Sequence, residues 1–189
     1  MPSAALTGWQ QDRAHRLSKI DLHCREVDAL VPPDLAFLDE TLRGYVLHLS
    51  AHFQGFCRDL YSECAQLWID SIPTSYRVSA QSQFSTGLLL DRGNPSYENL
   101  KRDFNRFGVR MDLQVLDALG PKSVTDLSHL NEWRNKASHQ DTQPLRAGVP
   151  IHLTANLVAT WRASCELLAS LLDRTMYDGM SLILGNPPW

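Results

Sequence analysis

No basic segment followed by an apolar run opens this sequence, and nowhere do apolar residues approach the ~18 in a row that a membrane-spanning helix needs. The expectation is a soluble, cytoplasmic protein with no membrane partner. Cysteine is sparse: Cys24, Cys57, Cys64 and Cys165 include no CxxC pair, and Cys64 and Cys165 fall at apolar helical positions. They read as reduced core thiols, since nothing around them resembles a nucleophile motif. Strand-like alternation is missing and no internal repeat occurs, which argues against sheet and solenoid architectures. Excess positive charge is missing too: the formal net charge is −3, so no overall electrostatic drive toward nucleic acid exists.

What is present is an ordinary globular composition, 43% hydrophobic and 21% charged, far from the profile of a disordered chain. At 189 residues the chain suits one domain with a real core, residues 1–189, closing in a loose tail at 185–189. Its charge is uneven. From Arg92 to Arg146 nine Lys or Arg face seven Asp or Glu, whereas residues 1–70 carry six against ten. Fourteen of the 18 basic residues are arginine, the side chain suited to bidentate phosphate contacts.

Hydrophobic spacing predicts helices throughout. Leu17, Ile20, Cys24 and Val27 mark a first one over 8–31, which Pro32-Pro33 ends. From Leu35 through Leu42, Leu49, Phe56 and Leu67 the apolar positions recur at near-heptad spacing as far as Ile72, giving one long helix before Pro73. Gly44 and Gly55 inside it are candidate points of close approach or bending. Residues 74–95 read as a loop with a short helix, and Ser96 as the cap of Tyr97–Phe107, stopped by Gly108. A short helical turn is expected over 112–119. Asp126 then suits an N-cap for a helix running to about Asp141, with Leu127, Leu130 and Trp133 as its apolar stripe. Residues 142–150 read as an exposed loop, and Thr154 caps a last helix carrying Leu157, Trp161, Cys165, Leu168, Leu172 and Met176. The predicted architecture is an all-α, antiparallel helical bundle with one long central helix.

One segment carries residues that packing does not require: Trp133-Arg134-Asn135-Lys136-Ala137-Ser138-His139. Two readings stand side by side. In one, a cation and a histidine near a helix C-terminus offset the dipole, worth ~0.3–1 kcal/mol. In the other they are a site, with Trp133 and Lys136 adding a basic, partly apolar surface. Arg134 and His139 lie ~140° apart around the axis, so a single copy splits them across a groove. Two copies about a two-fold axis would bring both pairs into one cleft able to hold a phosphodiester.

Arg134-Asn135 with His139 resembles the R-x(4-6)-H signature of the HEPN superfamily, small helical domains common among prokaryotic RNA-cleaving toxins. Upstream, Leu47-His48-Leu49-Ser50-Ala51-His52-Phe53-Gln54-Gly55-Phe56 resembles the A-H-F-E-G-F helix of the MAE-like HEPN branch, except that Gln54 stands where that branch is expected to be acidic. The two segments occur in the expected order, and the resemblance spans most of residues 34–178. It implies a helical fold and a metal-independent endoribonuclease of toxin–antitoxin or phage-defence type, acting as a homodimer and restrained by an antitoxin protein. The alternative it implies is a non-catalytic module binding a nucleotide, RNA or protein partner. No cofactor is expected.

In the catalytic reading His139 is the acid/base group, Arg134 the phosphate clamp and Asn135 the residue that orients either. Lys136, Arg102 and Arg106 are the expected RNA contacts. With Lys101 and Arg110, the latter two form a basic run in which Phe104 and Phe107 read either as a stacking platform or as core. His48 and His52 have the i, i+4 spacing of two metal ligands, but no third ligand and no H-E-x-x-H motif accompany them, so no metal is expected.

Overall fold

The computed structural model describes residues 1–32, 34–111, 120–139, 145–146, 149–150 and 152–189, with backbone alone for 139, 145–146 and 149–150. The expected turn over 112–119 lies outside the described residues. So do most of the loop expected over 142–150 and the stretch beyond His139.

The architecture is an all-α bundle around one long helix. Helix α3, Leu35–Ser71, runs 37 residues, about 55 Å at 1.5 Å per residue. Its cap is Asp34, whose carboxylate accepts the Phe37 amide at 3.0 Å. Leu42, Val46, Leu49, Phe53, Phe56, Leu60 and Cys64 follow at steps of three or four and are all buried. Each apolar side chain so buried contributes about 1.5–3 kcal/mol relative to exposure, which is why a helix this long stays single.

The other helices wrap α3. Helix α1, Ala4–Gly8, passes through a π-turn, Trp9–Arg13, into α2, Ala14–Asp28. The predicted first helix therefore begins earlier than residue 8 and ends sooner than 31, leaving Leu30 and Val31 exposed. The π-turn inserts an extra residue into the repeat, which lets Trp9 and Leu17 face the same core. Arg13 meets the His52 carbonyl and the Asp59 carboxylate, while Asp21 lies by Tyr45, so α2 runs antiparallel to α3. Gly55 lies where the Arg13 guanidinium comes down on α3, so a Cβ there would require that side chain to shift, whereas one on Gly44 would meet open space.

Residues 74–95 hold more helix than predicted: α4, Thr74–Ser85, and a 3-10 turn, Leu89–Asp91. Helix α5, Tyr97–Phe104, opens on the Ser96 hydroxyl as expected and closes through Asn105–Phe107 at Gly108, whose φ of 74° favours glycine. Helix α6, Gly120–His139, starts six residues before the predicted cap. Asp126 is not an N-cap but an interior residue, whose carboxylate takes Lys122 Nζ at 2.5 Å and the Ser164 hydroxyl at 2.7 Å. Residues 145–146 and 149–150 form a two-residue antiparallel ladder. Helix α7, Ala155–Leu184, is capped by Thr154 as predicted.

Trp133 of α6 lies under Arg43 of α3, and Asp126 bonds Ser164, next to the Cys165 that faces Cys57. Helix α6 thus descends as α3 rises. Along α7, Arg162 lies by Tyr45 and Asp173 by Glu63 and Cys64, so α7 runs with α3 and antiparallel to α6. All four cysteines are free and buried, and burial is the leading cause that pushes each thiol above its usual range. At the end of the tail the Trp189 ring packs edge-on to Tyr177 at 6.0 Å. Among the described residues no helix is long and apolar enough to cross a membrane.

Candidate functional site

The site is built where the core-facing stripe of α6 changes character. Leu127 and Leu130 are buried, and the same side of the helix continues as Asn131, Arg134, Asn135 and Ser138, at spacings of three and four. Asn131 is buried like the leucines before it, Arg134 is half-buried, and Asn135 and Ser138 are exposed at the C-terminal turns.

A loop from the far side of α3 reaches this face. Gln54 donates its amide to the Leu90 carbonyl at 2.6 Å and to the Gly93 carbonyl at 2.8 Å. From below, the buried Asp103 carboxylate accepts the Leu89 and Leu90 amides at 3.2 and 2.9 Å. So held, the loop presents Asn94, whose own carbonyl accepts the Asn99 side chain at 2.8 Å. Asn94 Nδ2 then donates to Asn135 Oδ1 at 2.8 Å and approaches the Asn131 carbonyl at 3.5 Å. Arg134 donates to the same Asn135 oxygen at 3.3 Å. Its oxygen is thus taken from two sides, which leaves the NH2 of this exposed residue as the group able to donate.

Gln54 thus has a role that the acidic residue expected at its position could not fill, because a carboxylate cannot donate to two carbonyls. Gln54→Glu is expected to cost about 1–3 kcal/mol of stability at neutral pH, as unmet buried acceptors do. Chemical denaturation of the variant checks this; a midpoint unchanged from wild type would show that the amide bonds are dispensable.

The residues singled out in the sequence divide as follows. Arg134 is half-buried and Asn135 exposed, adjacent on α6 and hydrogen-bonded to each other. His139 is the last residue of α6; its side chain lies outside the described residues, and its backbone keeps the ~140° separation from Arg134. Lys136 is half-buried on the same turns. Because the C-terminus of a helix carries about half a negative charge, a phosphate here depends on such cations. Trp133, expected to lend an apolar surface, is instead core, 1% exposed with the Arg43 guanidinium 5.8 Å from its ring centroid.

Arg102 is exposed on α5. Arg106, expected beside it on an RNA face, lays its guanidinium on the carbonyls of Gln83, Thr86 and Gly87 at 3.1, 2.8 and 3.0 Å, and so serves the end of α4. Phe104 and Phe107 are buried and pack around Tyr61, which makes them core residues and not a stacking platform.

His48 and His52 stack at 6.4 Å between centroids, on the side of α3 away from Gln54. His52 borders an open cleft of about 730 Å³ with Arg13, Arg16, Asp59 and Glu63. Burial, then the positive charges of Arg13, His48 and Arg16, lowers its pKa. Among the described residues no three His, Cys, Asp or Glu side chains gather closely enough to hold a metal ion together.

Sequence reading missed Asn94, Asn131 and the function of Gln54. Asn94 is legible only as the start of an Asn-Pro turn, and its partner is 41 residues away. Asn131 carried a signal, since it precedes Asn135 by four on a helix whose polar positions repeat. In comparisons with protein-family models, curated proteins and solved structures, none matches this chain.

Proposed function

We propose that this protein is a HEPN-type, metal-independent endoribonuclease of toxin–antitoxin or phage-defence type, working as a homodimer in the cytoplasm. The observation that carries the reading is the Arg134-Asn135 pair on the last turns of α6, hydrogen-bonded to each other and presented on a polar face, with His139 closing the same helix. The R-x4-H resemblance and the all-α fold support it.

Cleavage uses the ribose 2′-OH as an internal nucleophile, already held next to the phosphate by the nucleotide's covalent geometry. His139 takes the 2′-OH proton or donates one to the leaving 5′-oxygen, both roles that an imidazole can fill near neutral pH. Arg134 neutralises the charge that builds on the non-bridging oxygens, and the Asn135 NH2 adds a donor of fixed direction. Lys136 and Arg102 hold flanking phosphates. Incubating the purified protein with total RNA, with and without chelator, tests the activity: cleavage in both is expected, and intact RNA in both would end the reading.

Since Arg134 and His139 of one helix point to different sides, two copies complete one cleft. Light scattering is expected to give a dimer at micromolar concentration, and a monomer that still cleaves at that concentration would remove the composite site. One observation favours a second reading, a non-catalytic module binding a nucleotide, RNA or protein partner: Gln54 replaces the expected acidic residue and is taken up by loop carbonyls.

A further inference from the structure

The cleft between the start of α2 and the middle of α3 gathers charged side chains that the proposed reaction does not use. Asp12, Arg13 and Arg16 line one wall and His52, Asp59 and Glu63 the other, around about 730 Å³ of open space, a size suited to a small molecule. The carboxylates of α3 are engaged elsewhere: Asp59 pairs with the Arg13 guanidinium, and Glu63 accepts the Ala4 and Ala5 amides at 3.1 Å each. Arg13 is fixed a second time, by the His52 carbonyl at 3.2 Å. Arg16 and the His52 ring make no hydrogen bond or ion pair among the described residues, so their donors line the cleft unused. The His48 ring stacks on that of His52, and the charged groups that act on His52 are Arg13, His48 and Arg16. All three are bases. The His52 end of the cleft therefore attracts an anion, with Asp12, exposed on the π-turn, as the remaining charge on the α2 side.

We propose that this cleft binds a phosphate monoester, the Arg16 guanidinium donating to two of its terminal oxygens and a His52 ring N–H to the third. The class follows from the donors. A guanidinium fork and an imidazole match the three terminal oxygens of a monoester, and the cleft is large enough to admit the rest of a nucleotide. Arg13, held against α3 by Asp59 and the His52 carbonyl, adds positive charge from a fixed position. Burial and these positive neighbours lower the His52 pKa, so without an anion the ring is neutral at neutral pH. A bound anion offsets the positive charge and favours the imidazolium. Binding thus takes up a proton and tightens as pH falls through the histidine range. The site stands apart from the Arg134 motif and does not depend on the nuclease reading.

Proton NMR of the full-length protein reads the His52 ring directly, its signal identified by its loss in His52→Gln, so that phosphate held at Arg134 does not enter the measurement. Titration with AMP at neutral pH is expected to move the His52 signal to saturation, and adenosine to leave it in place. Arg16→Ala should weaken AMP about tenfold, the scale of one charge-assisted contact, and Arg16→Lys, which keeps the charge without the fork, should weaken it less. Sulfate stays a dianion throughout, and it should bind roughly tenfold more tightly at about pH 5.5 than at about pH 8 as the ring gains its proton. Single strands of 2′-deoxy residues, with and without a 5′-phosphate, separate the sources. A response to the phosphorylated strand alone of the two assigns the site to strand ends, and a response to AMP but to neither strand assigns it to free nucleotides. A His52 signal that ignores AMP and sulfate, an AMP affinity unchanged in Arg16→Ala, or a sulfate affinity equal at both pH values would overturn the proposal.

Discussion

Arg134→Ala and His139→Ala are each expected to lower RNA cleavage by about 10²- to 10⁴-fold, the range for losing a transition-state charge contact or a general acid/base. The melting temperature should move by no more than about 2 °C, because Arg134 is half-buried outside the apolar core and His139 is the last residue of its helix. Arg134 is half-buried, and the hydrogen bond it makes goes to the neighbouring residue on its own helix. His139 terminates α6, where a histidine contributes a dipole interaction of ~0.3–1 kcal/mol. The contrast with Trp133, one residue before Arg134, is built in. Truncating that buried indole would damage folding by about 3–5 kcal/mol and say nothing about chemistry. Cleavage by purified variants, measured beside thermal unfolding, decides the matter. Unchanged cleavage would discard the motif as a site, and a loss of several kcal/mol at His139 would make it a structural residue.

The parts of the fold that local chemistry specifies were legible. Helix α3 declares itself through apolar positions that recur at helical spacing from Leu35 to Leu67, and Ser96 and Thr154 cap the helices that follow them, because these are relations among residues a few positions apart. The π-turn at Trp9–Arg13 was not legible, since its cause is tertiary: it lets Trp9 reach Phe53 and Phe56 while Leu17 stays inside. The start of α6 was misread for a related reason. Asp126 looks like a cap in sequence, but its carboxylate is satisfied by Ser164 of another helix.

In the site the same division holds. The motif is local and legible in the sequence, but Gln54, Asn94 and Asn135 are joined by hydrogen bonds across 36 to 41 residues of sequence. No spacing rule links such residues. Arg106 shows the converse error, in which basic spacing on a short helix looked like a phosphate-tracking face and turned out to fasten the chain end of α4.

A substrate carrying 2′-deoxyribose at the scissile position is expected to resist cleavage completely, whereas the all-RNA substrate is cut in EDTA. In the proposed reaction the RNA brings its own nucleophile. Arg134, Asn135 and His139 offer positive charge, a fixed donor and a proton carrier, and the attacking oxygen comes from the RNA itself. With that oxygen removed, the proposed reaction has lost its nucleophile. The products must then be a 2′,3′-cyclic phosphate, or the monophosphate it hydrolyses to, and a fragment with a free 5′-OH. End-labelled oligonucleotides with a single deoxy position read all three outcomes in one experiment. If the deoxy substrate were cut, or if chelator abolished activity and zinc or manganese restored it, the nucleophile would be a metal-activated water. The chemistry would then belong on the opposite side of α3, where His48 and His52 stack beside the cleft lined by Arg13, Asp59 and Glu63.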